Sequence, residues 1–82
     1  MDTPIRCIAL DDEPLALEII LDYVEREPGL QLVASTTDAD EALDLIRQGG
    51  IDLLFLDVQM PGITGIELVR QIGVQCDIIL TT

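Results

Sequence analysis

Three carboxylates stand where apolar runs of the chain end: Asp11 and Asp12 after Ile5-Arg6-Cys7-Ile8-Ala9-Leu10, and Asp57 after Leu53-Leu54-Phe55-Leu56. Such a set suits a hard, oxygen-seeking cation. Magnesium takes one or two carboxylates, keeps several waters and accepts phosphate oxygens. Two carboxylates about 5 Å apart in one pocket would repel by roughly 3 kcal/mol at an effective dielectric of about 20. A bound Mg2+ would offset that repulsion and the charge of an incoming phosphoryl group. Singly, the residues have plainer explanations: Asp11 and Asp12, beside Pro14, as acids near a helix N-terminus, worth about 0.3–1 kcal/mol, and Asp57 as a turn residue. Their joint placement at the ends of apolar runs favours the metal.

The elements that must position these acids follow from periodicity. Residues 5–10 form a continuous apolar run, as in a strand buried on both faces. Pro14 suits a first helical position, and Leu17, Ile20, Leu21 and Val24 follow at i, i+3, i+4, i+7, predicting a helix over about 14–27 before Pro28-Gly29. Residues 30–35 predict a second strand. Asp38-x-x-Glu41 reads as a capping box opening a helix whose inner face is Ala39, Ala42, Leu43 and Ile46, stopped by Gly49-Gly50. Residues 52–57 predict a third strand with an acid at each end. Past the Met60-Pro61-Gly62 turn, Thr64-x-x-Glu67 is a second capping box, leading to a helix with Ile66, Val69 and Ile72 inward and its end near Gly73. Residues 77–82 predict a fourth strand.

This βαβαβαβ order implies an α/β fold: a parallel, doubly wound sheet with helices on both faces and right-handed crossovers. Open sheets of this kind place ligands at the carboxyl ends of strands, where the strand order reverses. In a flavodoxin-like order, 2-1-3-4, the first and third strands are neighbours about 4.8 Å apart. Asp11, Asp12 and Asp57 then converge.

Composition narrows the function classes. Sixteen acidic residues against four basic ones give a formal charge of −12, which opposes binding to nucleic acid and to anionic membrane surfaces. Aromatic residues make up only 2% of the chain, so its interior must be aliphatic. Cys7 and Cys76 lie in apolar strand-like segments without metal-type spacing, as expected of reduced thiols in a cytoplasmic protein. No apolar stretch approaches the roughly 20 residues of a membrane span.

The motifs Ala9-Leu10-Asp11-Asp12-Glu13-Pro14, Leu53-Leu54-Phe55-Leu56-Asp57-Val58-Gln59-Met60-Pro61-Gly62-Ile63-Thr64-Gly65 and Ile78-Ile79-Leu80-Thr81-Thr82 together resemble the response-regulator receiver domain of two-component signalling, a CheY-like fold. The resemblance implies that Asp57 is the phosphoacceptor. It makes Asp12 a direct magnesium ligand, Asp11 an acid supporting the metal site, and the Gln59 backbone carbonyl a further ligand. Thr82 falls at the family's switch hydroxyl, with Thr81 the neighbouring alternative. The phrases Asp12-Glu13-Pro14-Leu15-Ala16 and Gln59-Met60-Pro61-Gly62 look like receivers joined to a LytTR-type DNA-binding domain, implying transcriptional control by a longer parent.

A receiver of this family continues through a fourth helix, a fifth strand with an essential lysine and a fifth helix. The sequence contains four arginines (Arg6, Arg26, Arg47, Arg70) and neither lysine nor histidine. Residues 1–82 are therefore expected to be the N-terminal two thirds of a receiver, without an output domain. The phosphohistidine donor is expected to be another protein, by resemblance a sensor histidine kinase. The fourth strand is expected to be an open sheet edge able to pair with a second chain in a homodimer. Two rival readings stand beside this one. The first is a receiver-like interaction module that is never phosphorylated. The second is an aspartate-nucleophile phosphohydrolase, which wants a second Asp two residues after the nucleophile, where this chain has Gln59. The receiver reading predicts no enzymatic turnover.

Overall fold

The structure, a computed structural model, describes residues 3–57, 65–73 and 75–81. Four strands and three helices alternate: β1 (Ile5–Leu10), α1 (Pro14–Glu25), β2 (Leu30–Thr36), α2 (Ala39–Arg47), β3 (Leu53–Leu56), α3 (Gly65–Ile72) and β4 (Asp77–Leu80). The strands form one sheet in the order β2-β1-β3-β4, every neighbouring pair parallel. This is the expected α/β architecture and strand order.

Period-two alternation sorts the central strands between two layers. Ile8 and Leu10 of β1 and Leu54 and Leu56 of β3 meet Leu43 and Ile46 of α2 and Leu68 and Ile72 of α3 in one buried cluster. Helix α1 covers the opposite face, burying Leu17 and Val24. From Cys7 to Leu10, β1 is fully buried, because a helix layer lies on each side of it.

Several local details depart from the expected pattern. Helix α1 ends at Glu25 rather than near residue 27: the Arg26 and Glu27 amides reach back only three residues, to the Tyr23 and Val24 carbonyls at 3.2 and 3.1 Å. Pro28 explains this, since it drives the preceding residue out of helical conformation. At α2 only half of the capping box forms. The Asp38 carboxylate accepts from the Asp40 amide at 2.9 Å, but the Asp38 amide donates to the Thr36 hydroxyl at 3.0 Å rather than to Glu41. Helix α3 buries Leu68 and Ile72, whereas Val69, expected inward, is exposed. The i, i+4 pair faces the core and Val69 lies about 100° round the helix from Leu68. Thr64 and the Met60-Pro61-Gly62 turn lie outside the described residues, as does the side chain of Ile66.

The lower end of the sheet is tied by Asp52. Its carboxylate accepts from the Arg6 amide at 2.9 Å, and its own amide donates to the Arg6 carbonyl at 2.8 Å. The Arg6 guanidinium donates to the Gly50 carbonyl at 2.8 Å. Gly49 and Gly50 hold φ of +90° and +85°, turning the chain from α2 into β3 in a region that disfavours other residues.

Candidate functional site

The upper end of the sheet is built by backbone pairing that continues past the strands. Leu10 of β1 stands beside Leu56 of β3, so the residues that follow them, Asp11 and Asp57, leave the sheet side by side. The Asp57 amide donates to the Leu10 carbonyl at 3.1 Å and the Asp11 amide to the Thr36 carbonyl at 3.3 Å. The Thr81 amide donates to the Leu56 carbonyl at 2.9 Å. All four strand ends are thereby locked together beneath one surface.

Carboxylate oxygens of Asp11, Asp12 and Asp57 lie within 4.8 Å of one another. Asp11 and Asp57 retain only 3% and 7% of their exposure, and Asp12 is the most open of the three. Asp11 is further oriented by the Glu13 amide, which donates to its Oδ1 at 2.9 Å and carries the chain into α1. With Pro14 as the first helical residue and no side-chain cap from Glu13, the Asp11 carboxylate serves the entry to the helix. The plainer reading of an acid near a helix start is thus also true of Asp11, and it fixes the carboxylate within the cluster.

Burial pushes the Asp11 carboxyl above its ordinary value; the Glu13 amide partly counters this, while Asp57 and Asp12 raise it further. A carboxylate that is desolvated and crowded by others is an acid that a divalent cation stabilises in its charged form. Hard oxygen donors at this spacing fit Mg2+, which characteristically also keeps waters and accepts phosphate oxygens.

The described residues thus bring together Asp11, Asp12 and Asp57 as expected. Gln59 and Thr82 lie outside them. Thr81, the alternative to Thr82, is exposed and stands beside Asp57 through the β3–β4 pairing. Sequence reading ended β2 at Ser35 and so missed Thr36. This buried residue joins the two neighbouring elements to the site: its carbonyl accepts from Asp11 and its hydroxyl from Asp38. A Thr-x-Asp spacing at the end of a strand was the available signal.

Comparison with known proteins agrees with this geometry. The model of the response regulator receiver domain matches residues 7–82. The nitrate/nitrite response regulator protein NarP of Escherichia coli (strain K12) is 34% identical over 98% of this chain and 39% of its own length. The transcriptional regulatory protein BtsR of the same strain is 35% identical over 79% of this chain and 27% of its own. Among solved structures, a two-component response regulator of the LuxR family from Aurantimonas sp. SI85-9A1 superposes with a TM-score of 0.83 at 33% identity, covering 95% of this chain and 58% of that one. The signal receiver domain of NarL from Mycobacterium tuberculosis gives a TM-score of 0.82 at 27% identity, covering 96% and 66%. This chain therefore spans well under half the length of the curated relatives it matches. The LytTR affinity expected from the Asp12–Ala16 and Gln59–Gly62 phrases is not supported, and the similarity runs to NarP and to the LuxR family instead. In sequence those phrases adjoin Asp11 and Asp57 and do not identify the type of output domain. The match over residues 7–82, the strand order and the acidic pocket agree, and the chain belongs to the response regulator receiver domain family.

Proposed function

We propose that this chain is a phosphoacceptor, receiving a phosphoryl group on Asp57 from the phosphohistidine of a sensor histidine kinase. The observation that carries the reading is the convergence of Asp11, Asp12 and Asp57 within 4.8 Å at the carboxyl ends of β1 and β3. Asp11, Asp12, Asp57 and the Gln59 carbonyl are the proposed holders of Mg2+. When bound, the ion supplies charge neutralisation for the carboxylates and for the phosphoryl oxygens.

The chain's own residues perform the rest. A carboxylate oxygen of Asp57 attacks phosphorus in line; the new O–P bond forms as the P–N bond to the donor imidazole breaks, and the imidazole nitrogen leaves with the electron pair. Asp57 is held for this by the hydrogen bond that its amide donates to the Leu10 carbonyl, and Asp11 by its contacts with Thr36 and Glu13. Thr82 is the proposed switch hydroxyl. Among the described residues no helix is long and apolar enough to cross a membrane, and we place the phosphotransfer in the cytoplasm. Control of transcription extends the proposal to a polypeptide in which this receiver is joined to a DNA-binding output domain.

Intact-mass measurement after incubation with acetyl phosphate and Mg2+ tests the reading. The wild-type chain should gain one phosphoryl group, Asp57→Asn none, and Asp12→Ala far less. No gain in the wild type, or an equal gain in Asp57→Asn, would overturn it. Turnover of a small aryl phosphate should stay at the background rate.

A further inference from the structure

Thr36 stands between the acidic pocket and helix α2, and it turns a different atom to each. Its carbonyl accepts from the Asp11 amide at 3.3 Å, and its hydroxyl accepts from the Asp38 amide at 3.0 Å. Only 7% of the residue is exposed. Asp38 in turn opens α2: its carboxylate accepts from the Asp40 amide at 2.9 Å and its carbonyl from the Ala42 amide at 3.2 Å. The helix that follows is anchored in the core through Ala42, Leu43 and Ile46. A continuous line of hydrogen bonds therefore runs from a buried helix, through one side chain, to the backbone of a pocket carboxylate.

A threonine hydroxyl bonded to the amide two residues on is by itself a common local turn. Its setting gives this one more to do. Among the described strands β2 pairs with β1 alone, so the ladder holds its last residue on one side only. The bond from the Asp11 amide is also the longest of the three that lock the strand ends, and so the weakest by length. Asp11 has two fixed points: this bond to Thr36, and the bond that its Oδ1 accepts from the Glu13 amide. We infer that Thr36 is a positioning residue for the acidic pocket, on the reading of Asp11, Asp12 and Asp57 as the magnesium site of phosphoryl transfer. Its hydroxyl, fastened to the start of α2, holds in place the carbonyl that sets the backbone of Asp11. Thr36 supplies no ligand of its own and acts through Asp11.

Thr36→Val removes the hydroxyl and keeps the branched shape, so the strand and its packing are retained while the Asp38 amide loses its acceptor. Thr36→Ser keeps the acceptor. Calorimetric titration of the full 82-residue chain with Mg2+, beside urea denaturation without the metal, tests the role. Affinity should fall about fivefold in Thr36→Val, less than the roughly 10–100-fold typical of losing a direct partner of a metal ligand, because Thr36 acts through the backbone. Thr36→Ala, which removes the hydroxyl without requiring a branched side chain to fit, should lose affinity to the same degree. Thr36→Ser should bind as the wild type does. A purely structural role would lower the urea midpoint and leave the affinity of the folded chain unchanged. Wild-type affinity in Thr36→Val and Thr36→Ala, or an equal loss in Thr36→Ser, would overturn the role of Thr36 and leave the metal site standing. A wild type that binds no Mg2+, or that Asp12→Ala matches, would overturn the metal site and this role with it.

Discussion

The Asp57 amide donates to the Leu10 carbonyl at 3.1 Å, one residue beyond the point where β1 and β3 end as strands. This bond continues the parallel ladder into the acidic pocket, so Asp57, the proposed phosphoacceptor, is held by the main chain of the strand that carries Asp11. The side chains can then be tuned without moving the backbone beneath them. That separation makes the contribution of each carboxylate measurable.

Asp11→Asn should raise the stability of the metal-free protein. It removes a buried charge that is disfavoured by desolvation and by Asp57, while leaving an Oδ1 to accept from the Glu13 amide. A gain of about 1 kcal/mol is expected, well below the roughly 3 kcal/mol of an unscreened pair at this spacing, because the cluster opens to solvent at Asp12. Urea titration in a chelator reads the gain. Calorimetry should show Mg2+ affinity falling by about tenfold or more, equivalent to about 1.4 kcal/mol, in both Asp11→Asn and Asp12→Ala. Unchanged affinity in both variants would remove these residues from the metal site.

Helix α3 offers a contrast between adjacent residues. Leu68 is fully buried in the cluster formed with Leu54 and Leu56, and Val69 is 36% exposed. Leu68→Ala should cost about 2–5 kcal/mol through lost burial and the cavity left behind. Val69→Ala should cost under about 1 kcal/mol, with helix propensity offsetting part of the lost apolar area. Equilibrium denaturation of both variants checks the order. Similar losses at the two positions would mean that α3 is rotated from the orientation described.

Cys7 gives a dependence on pH. Burial without a charged partner pushes its thiol above the ordinary range. The unfolded chain therefore releases this proton at a lower pH than the folded one. The stability associated with the neutral thiol is present in full below the unfolded value and is lost as pH rises through it towards the folded value. Denaturation midpoints of the wild type should fall more steeply in the alkaline range than those of Cys7→Ala. Alkylation of Cys7 should await unfolding, whereas half-buried Cys76 should react in the native state. Rapid native labelling of Cys7 would contradict its burial.

The sequence by itself determined the order of elements, because their signals are local: Pro14 at a helix start, the apolar run 53–56, and the glycines after α2. It also determined which acids end the strands, since a charge that closes an apolar run stands at the boundary of a buried strand. Strand order came from the flavodoxin-like type of sheet rather than from the residues, and the family motif around Asp57 supplied a role for the carboxylate that spacing alone leaves open. Tertiary structure decided what depends on contacts between distant segments. Val69 and Leu68 are both apolar and adjacent, and only the direction from which the sheet meets α3 selects Leu68 for the core. Asp38 and Glu41 carry a complete capping signature, yet the Thr36 hydroxyl at the end of β2 takes the Asp38 amide that Glu41 was expected to receive. Asp52 reads as a mere strand terminus until Arg6, 46 residues away, is brought alongside. The acidic pocket itself has this character, because Asp11 and Asp57 become neighbours only through the β1–β3 register, which sets Leu10 beside Leu56.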